Sequence, residues 1–418
     1  MKKISLKIIS LLLCLIMLLF FCGCDFNNLV NDTKEVLNNW NLQLNEIFNP
    51  EEFVIVEEEQ EFTINFNSCY NELNSKQQKI YRMLYSAAKQ MPSGFFKLCE
   101  NYKNSNKDIS VAYQAMLNDH VEIFWMPSTY VLGYLSNSGR EYVLIAFDYD
   151  GPKNSAHYSV NKKQRDNMVE QLQTAVESIL SVANSFDDDY EKELYFNDFI
   201  CNNTEYTLEG DLVNTAYGCL VSKKALCEGY SRAFKLLCNE AEIECELISG
   251  IADGEGHMWN MINIYGEYSY VDVTWNDNVD GFEYAYFNIS EQQLLFDHSL
   301  APVFTQLKDS DFVNGTSFNI LKKDCAESQY NYFLWNSLIL NVGDAHKAVS
   351  AIKQTIESNN NKISFLIVDE DFKNQLKNDA SQEIDNINLR LGLTFSKTII
   401  NSFAFYRDIL VLNLGVSD

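Results

Sequence analysis

Proline and glycine are scarce, five and 17 in 418 residues, which excludes collagen-like and long low-complexity stretches. Positive charge is short as well. Lys and Arg total 32 against 58 Asp and Glu, for a net charge of −26. Nucleic-acid binding needs a basic footprint, so no nucleic-acid partner is expected. A surface this acidic favours cationic partners, mainly through encounter rate. No glycine-rich phosphate loop is present, so no nucleotide or flavin is expected as cofactor. The eleven cysteines contain no CxxC pair, and no internal repeat is found.

What is present suits a folded chain. Apolar residues make up 46% and aromatics 13%, enough for two or three domains with real cores. At the start, Lys2, Lys3 and Lys7 precede an apolar run over residues 8–21. That run has signal-peptide length and is short for a membrane span of about 20 residues. It ends in Phe21-Cys22-Gly23-Cys24, which resembles the bacterial lipobox. The expectation is a lipoprotein signal at residues 1–23, lipidation at Cys24, and a chain held at the extracytoplasmic face of the cell membrane. Loss of three lysines with the signal takes the charge from −26 to −29. Eight cysteines then remain, too few for a disulfide-stapled scaffold of this length.

Residues 24–70 read as a tether, with an acidic run at Glu57-Glu58-Glu59-Gln60-Glu61 and a strand over residues 62–66. An α/β segment is expected over residues 71–160. Ile80, Leu84, Ala87, Ala88 and Met91 mark its first helix, residues 109–117 a second, and residues 122–125 and 142–149 two strands, with a turn at Asp150-Gly151-Pro152. Met168, Leu172, Val176 and Ile179 fall on one face of another helix. Asp187-Asp188-Asp189 then caps the next. After residue 300 helices over 344–357 and 372–389 alternate with strands over 363–368, 393–400 and 409–414, an α/β module of unassigned role over 301–418.

The chemistry gathers between residues 216 and 300. Tyr230, Phe234, Leu237, Cys238 and Ala241 recur at helical spacing after Cys227. Cys227 therefore stands in a first helical turn, where free N–H groups and the helix dipole favour a thiolate. Gly256-His257-Met258-Trp259-Asn260 reads as a strand and Tyr270-Val271-Asp272-Val273-Thr274-Trp275 as its hairpin partner. A turn centred on Tyr265-Gly266 places His257 opposite Thr274 and diagonal to Asp272 on the same face. That order of thiol, imidazole and carboxylate is the nucleophile–base–orienter arrangement of cysteine catalysis.

These segments resemble the transglutaminase-like superfamily, in which a helix beginning at a catalytic Cys is followed by antiparallel strands carrying His and Asp. The matching residues are Cys227-Glu228-Gly229-Tyr230-Ser231-Arg232-Ala233-Phe234, Gly256-His257-Met258-Trp259-Asn260 and Val271-Asp272-Val273-Thr274-Trp275. Residues 118–125, Tyr286-Phe287-Asn288-Ile289-Ser290 and Asp297-His298 also resemble bacterial lipoproteins bearing this domain. The resemblance implies an α+β fold with a papain-like, transglutaminase-like core over residues 161–300. It implies catalytic Cys227, His257 and Asp272 acting on protein or peptide amides through a thioester. Hydrolysis is the favoured outcome; protein cross-linking and a non-catalytic peptide-binding module are the alternatives. No cofactor or metal is expected, because Cys227, Cys238, Cys245 and His257 lack zinc-site spacing. The Cys227 N–H offers half of an oxyanion hole, with Tyr217 as a candidate second donor, and Trp259 is placed to cover the imidazole. His120 and His298 read as structural hydrogen bonders, His157 and His346 as surface residues.

Overall fold

A computed structural model describes residues 54–56, 68–100, 105–137, 140–150, 155–277, 284–312, 317–380, 387, 390–391 and 400–415. The signal, Cys24, the strand at 62–66, the turn residues Gly151-Pro152 and the strand expected from 393 to 399 lie outside the described residues. Among the described residues no helix is long and apolar enough to cross a membrane. The fold is α+β, and the chain divides into two compact units.

The smaller unit takes in Pro92–Lys103 and Thr129–Ala156. Its sheet is antiparallel, with β1 (Phe96–Glu100), β2 (Val131–Asn137) and β3 (Arg140–Ala146) in the order β1-β3-β2. Phe96, Val143, Ile145 and Phe147 are buried in it.

The larger unit comprises Glu57–Met91, Asn104–Ser128 and His157–Asp418. Asn74 opens α1 (Ser75–Gln90) with a capping box closed by Gln77, and the buried stripe is Ile80, Leu84, Ala87 and Ala88. Helix α2 spans Ser105–Asp119. The segment after it is not the strand expected over residues 122–125. Ile123 N–H returns to the His120 carbonyl, and Trp125 Nε1–H donates to Ala88 O at 2.8 Å. Ile123, Phe124 and Trp125 are buried in succession in these turns, held by local and tertiary hydrogen bonds rather than by a strand ladder.

Helices α3 (Lys162–Ala183) and α4 (Asp189–Asn203) follow, α4 capped by the Asp188 side chain as the acidic triplet suggests. Short parallel strands β4 (Glu205–Tyr206) and β5 (Lys224–Ala225) lead into α5 (Cys227–Glu240). Tyr230, Ala233, Phe234, Leu237 and Cys238 are fully buried along α5. Each large apolar side chain among them contributes ~1.5–3 kcal/mol relative to exposure. They pack α5 on an antiparallel sheet of β6 (Cys245–Ala252), β7 (Glu255–Ile264), β8 (Glu267–Val271) and β9 (His298–Leu300), ordered β8-β7-β6-β9. Beyond it, β10 (Ile339–Leu340), β11 (Lys362–Ile367), β12 (Ile400–Tyr406) and β13 (Ile409–Leu414) form a sheet ordered β10-β11-β13-β12. Helices α6 (Ala345–Glu357) and α7 (Glu370–Ala380) accompany it, with Leu340, Ile352, Phe365, Leu376, Leu410 and Leu412 in the core. Of the strand expected over 393–400 only Ile400 is among the described residues, and it opens β12, whose later residues lie outside the expected strand.

Candidate active site

The β7–β8 hairpin has the register expected from its turn: Ile264 pairs with Glu267 and Asn260 with Val271. Pairing stops there. Asp272 is not a strand residue but the N-cap of a short helix, Val273–Asn276, its Oδ1 accepting from Trp275 N–H at 3.1 Å. A carboxylate at this point draws the chain out of the sheet, because capping satisfies helix N–H groups that a strand would not have. His257, expected opposite Thr274, pairs instead with Gly250 of β6.

The two side chains meet nonetheless. His257 Nε2 lies 2.7 Å from Asp272 Oδ2, and the Cys227 thiol is close enough to the same imidazole to raise its pKa. Since Nε2 is taken by Asp272, Nδ1 is the nitrogen left for the thiol. Asp272 is buried and Cys227 half-buried. Burial alone would lower the His257 pKa, but the charge and hydrogen bond of Asp272, with Cys227, outweigh it and raise the pKa to about 10. Burial would raise Asp272; His257 and His298 overcome that and hold it at about 2. The arrangement can therefore keep an imidazolium beside a thiol at neutral pH.

Local packing explains how these groups come together. A side chain at Gly229 would place Cβ 2.3 Å from Val213 O and 2.8 Å from the Ala225 side chain, so only glycine lets the first turn of α5 settle. Ser231 Oγ lies 2.9 Å from both Cys227 O and Met258 O, and Asn260 Nδ2 donates to Ser231 O at 3.0 Å. These bonds tie the Cys227 turn to β7. At Gly250 a Cβ would stand 2.0 Å from Ser299 O and 2.5 Å from the Trp259 ring. That close approach seats Trp259 near His257, with ring centroids 5.9 Å apart and planes 28° from parallel.

The other expected residues fall as follows. Tyr217 donates its hydroxyl to Gln171 Oε1 at 2.6 Å and lies against Phe124, so that hydroxyl proton is committed to Gln171. His120 Nδ1 lies 2.9 Å from Glu122 Oε1 and its ring stacks on Tyr85. His157 and His346 are exposed. His298 is more central than its reading as a structural hydrogen bonder implied, since its Nε2 lies 3.1 Å from Asp272 Oδ2. Sequence spacing carries no sign of that contact, because residues 272 and 298 meet only through the tertiary fold. A cavity of about 180 Å³ also escaped sequence reasoning; Glu228 and Met258, the residues after Cys227 and His257, line it with Arg232, Thr215 and Ser249.

Among the described residues, two side-chain groups have atoms close enough to hold a cation: His257 with Asp272 and His298, and Cys69 with Asp119 and Glu246. In the first, both histidine Nε2 atoms meet the same carboxylate oxygen, a geometry that calls for N–H donors there. In the second, the cation is already supplied by Lys235, whose Nζ lies 2.8 Å from Glu246 Oε2.

Residues 180–274 match the transglutaminase-like superfamily, so this stretch is a transglutaminase-like domain. Similar solved structures include a TGase (16% identity, TM-score 0.25) over 34% of this chain and 43% of that one. A candidate cysteine protease from Cytophaga hutchinsonii (14% identity, TM-score 0.23) is similar over 35% of this chain and 65% of its own. A candidate protease from Parabacteroides distasonis (14% identity, TM-score 0.20) is similar over 34% and 35%. The chain spans less than two thirds of each of these proteins. No curated protein matches the sequence.

Proposed function

We propose that the protein is a cysteine acyl-transfer enzyme of transglutaminase-like type, acting on amide bonds of proteins or peptides and releasing the acyl group to water. The observation that carries this reading is the 2.7 Å contact of His257 Nε2 with the buried Asp272 carboxylate, on an imidazole whose pKa the Cys227 thiol also raises. Cys227 attacks the amide carbonyl as thiolate. Its N–H, first in α5 and without an intrahelical acceptor, faces the developing oxyanion. His257 then protonates the leaving amine, leaving a thioester. Asp272 holds the ring and supports its charge. Glu228 and Met258 bring the cavity next to this centre, where a substrate side chain is accommodated.

The test is incubation with a labelled primary amine and a casein-like protein. Cleavage without label supports hydrolysis, and incorporation of label makes the enzyme a cross-linker. Neither outcome, with Cys227 inert to alkylation, leaves a peptide-binding module and defeats the proposal.

The lipobox-like Cys24 extends the proposal to place. A chain tethered by residues 24–70 to the outer face of the cell membrane would meet protein substrates there. Cys24→Ala is expected to leave precursor or to release protein to the medium; unchanged processing and membrane association would reject the anchor.

A further inference from the structure

Both ring nitrogens of His298 face carboxylates. Nδ1 lies 2.6 Å from Asp297 Oδ1 and Nε2 3.1 Å from Asp272 Oδ2. The side chain is wholly buried. An ionised carboxylate oxygen only accepts, so satisfying both contacts takes a proton on each nitrogen, and His298 is an imidazolium. A buried cation is stable only when partners meet it on every polar side, and here two do.

Asp297 does not stop the series. Its Oδ1 pairs with the Arg407 guanidinium, while Oδ2 accepts from Tyr286 OH at 2.7 Å and Tyr406 OH at 3.1 Å. Arg407 stands in the turn between β12 and β13, with its guanidinium carbon 4.7 Å from the Tyr286 ring centre and 5.0 Å from that of Phe296. Beyond the Cys227 thiol the groups run His257, Asp272, His298, Asp297, Arg407, alternating in sign when both imidazoles are protonated.

We propose that His298, Asp297 and Arg407 are positioning residues for the cysteine centre, an alternating row of charges that holds the Asp272 oxygen facing His257 and anchors it to the C-terminal sheet. The inference rests on the acyl-transfer reading of Cys227 and His257. With one histidine alone, the Asp272 carboxylate could turn about its bond to the ring. With Oδ2 shared by two ring nitrogens and Oδ1 held by Trp275 N–H, it cannot turn without breaking one of the three. The inference gives the last strand pair of the chain a task at a site about 150 residues earlier in sequence.

The test is the pH dependence of Cys227 alkylation by iodoacetamide in the full chain, read on the Cys227 peptide by mass spectrometry. A thiolate–imidazolium pair gives two limbs, one for each deprotonation. Charged or titratable groups facing the pair are Asp272, His298, Tyr206 and, through Tyr206, Glu255; those facing His298 are Asp272, Asp297, Tyr286 and His257. Removing a positive charge favours protonation of both members of the pair, and removing a negative charge does the reverse. His298→Gln and Arg407→Met are therefore expected to move both limbs to higher pH, by about half a unit at these separations. Asp297→Asn, nearly isosteric, is expected to move them to lower pH, and Arg407→Lys to restore the original limbs. A merely structural role would change melting temperature without shifts of opposite sign. Limbs that stay fixed in folded variants, or that all move in one direction, overturn the proposal. Should His298→Gln fail to fold, Asp297→Asn and Arg407→Met still test the sign. If the unaltered chain lacks the two-limbed profile, the acyl-transfer reading itself falls; a normal profile that the variants leave unmoved removes only the relay.

Discussion

His257 Nε2 and Asp272 Oδ2 stand 2.7 Å apart although the two residues form no strand pair, because Asp272 reaches the ring from a helix cap after β8 has ended. A cap and a strand constrain a carboxylate differently. The cap fixes Oδ1 on a backbone N–H and leaves Oδ2 for the imidazole, so orientation does not depend on sheet twist.

Asp272→Asn tests that arrangement. Asparagine caps helices as well as aspartate, so the short helix should persist, but the charge between two histidines is lost. By analogy with the serine triad, turnover of any amide substrate should fall on the order of 10⁴ while a residue of activity remains. Cys227→Ala and His257→Ala should abolish covalent turnover. Full activity in Cys227→Ala would refute the catalytic reading.

The same charge sets a pH window for stability. Asp272 at about 2, below its ordinary 3.8, contributes stability above its unfolded pKa that is lost as pH falls toward 2. His257 at about 10, above 6.5, contributes stability below its unfolded pKa that is lost as pH rises through 10. The two shifts share one interaction, so they are not summed. The stability gap between the unaltered chain and Asp272→Asn is expected to be largest near pH 4–6.5, on the order of 2 kcal/mol, and to close at both extremes. Denaturant melts at pH 3, 5 and 10 measure it; a gap independent of pH would show that the carboxylate is not ionised against the ring.

Much of this site was legible in the sequence, for local reasons. The spacing of Tyr230, Phe234, Leu237 and Cys238 located α5 and put Cys227 at its start. The Tyr265-Gly266 turn fixed the register of β7 and β8. What failed depended on competition or distance. Val271 and Asp272 continue an apolar–polar alternation, yet capping by the carboxylate ended the strand. Residues 122–125 have strand composition but are buried consecutively in turns. Asp297 and His298 are neighbours in sequence, but only tertiary folding brings them to Asp272 and Arg407, and no spacing rule connects residue 407 with residue 227.

Cys227 should be the fast-reacting thiol of the native protein. Burial pushes the Cys219 and Cys325 thiols up to about 12, and Cys69, Cys201 and Cys238 are likewise raised, first by burial. A thiol in that range is almost wholly protonated at neutral pH and reacts slowly. Brief iodoacetamide treatment followed by peptide mapping should find label on Cys227 first. Preferential labelling of a buried cysteine would mean that Cys227 lacks an activating partner in solution.

Lys235 gives a prediction about stability that leaves the chemistry aside. Its ammonium is wholly buried, donating to Glu246 Oε2 at 2.8 Å and to Cys245 O at 2.6 Å. Burial opposes its charge, but Glu246, with Asp119 also near, overcomes that and keeps it protonated. Glu246 is itself pushed up to about 7 by burial, with Lys235 opposing the rise. Asp119, buried as well, accepts from Tyr81 OH at 3.0 Å. Lys235→Met fills a similar volume but leaves two buried acids without their cation. Breaking a buried pair from one side costs about 3–5 kcal/mol, enough to remove much of the stability of an ordinary domain. Lys235→Met paired with Glu246→Gln leaves fewer uncompensated charges and should recover a large part of that loss. Denaturant midpoints of the two variants at neutral pH test the coupling. If the single variant is as stable as the unaltered chain, Glu246 and Asp119 are neutral in the folded protein and the ion pair does not hold the core together.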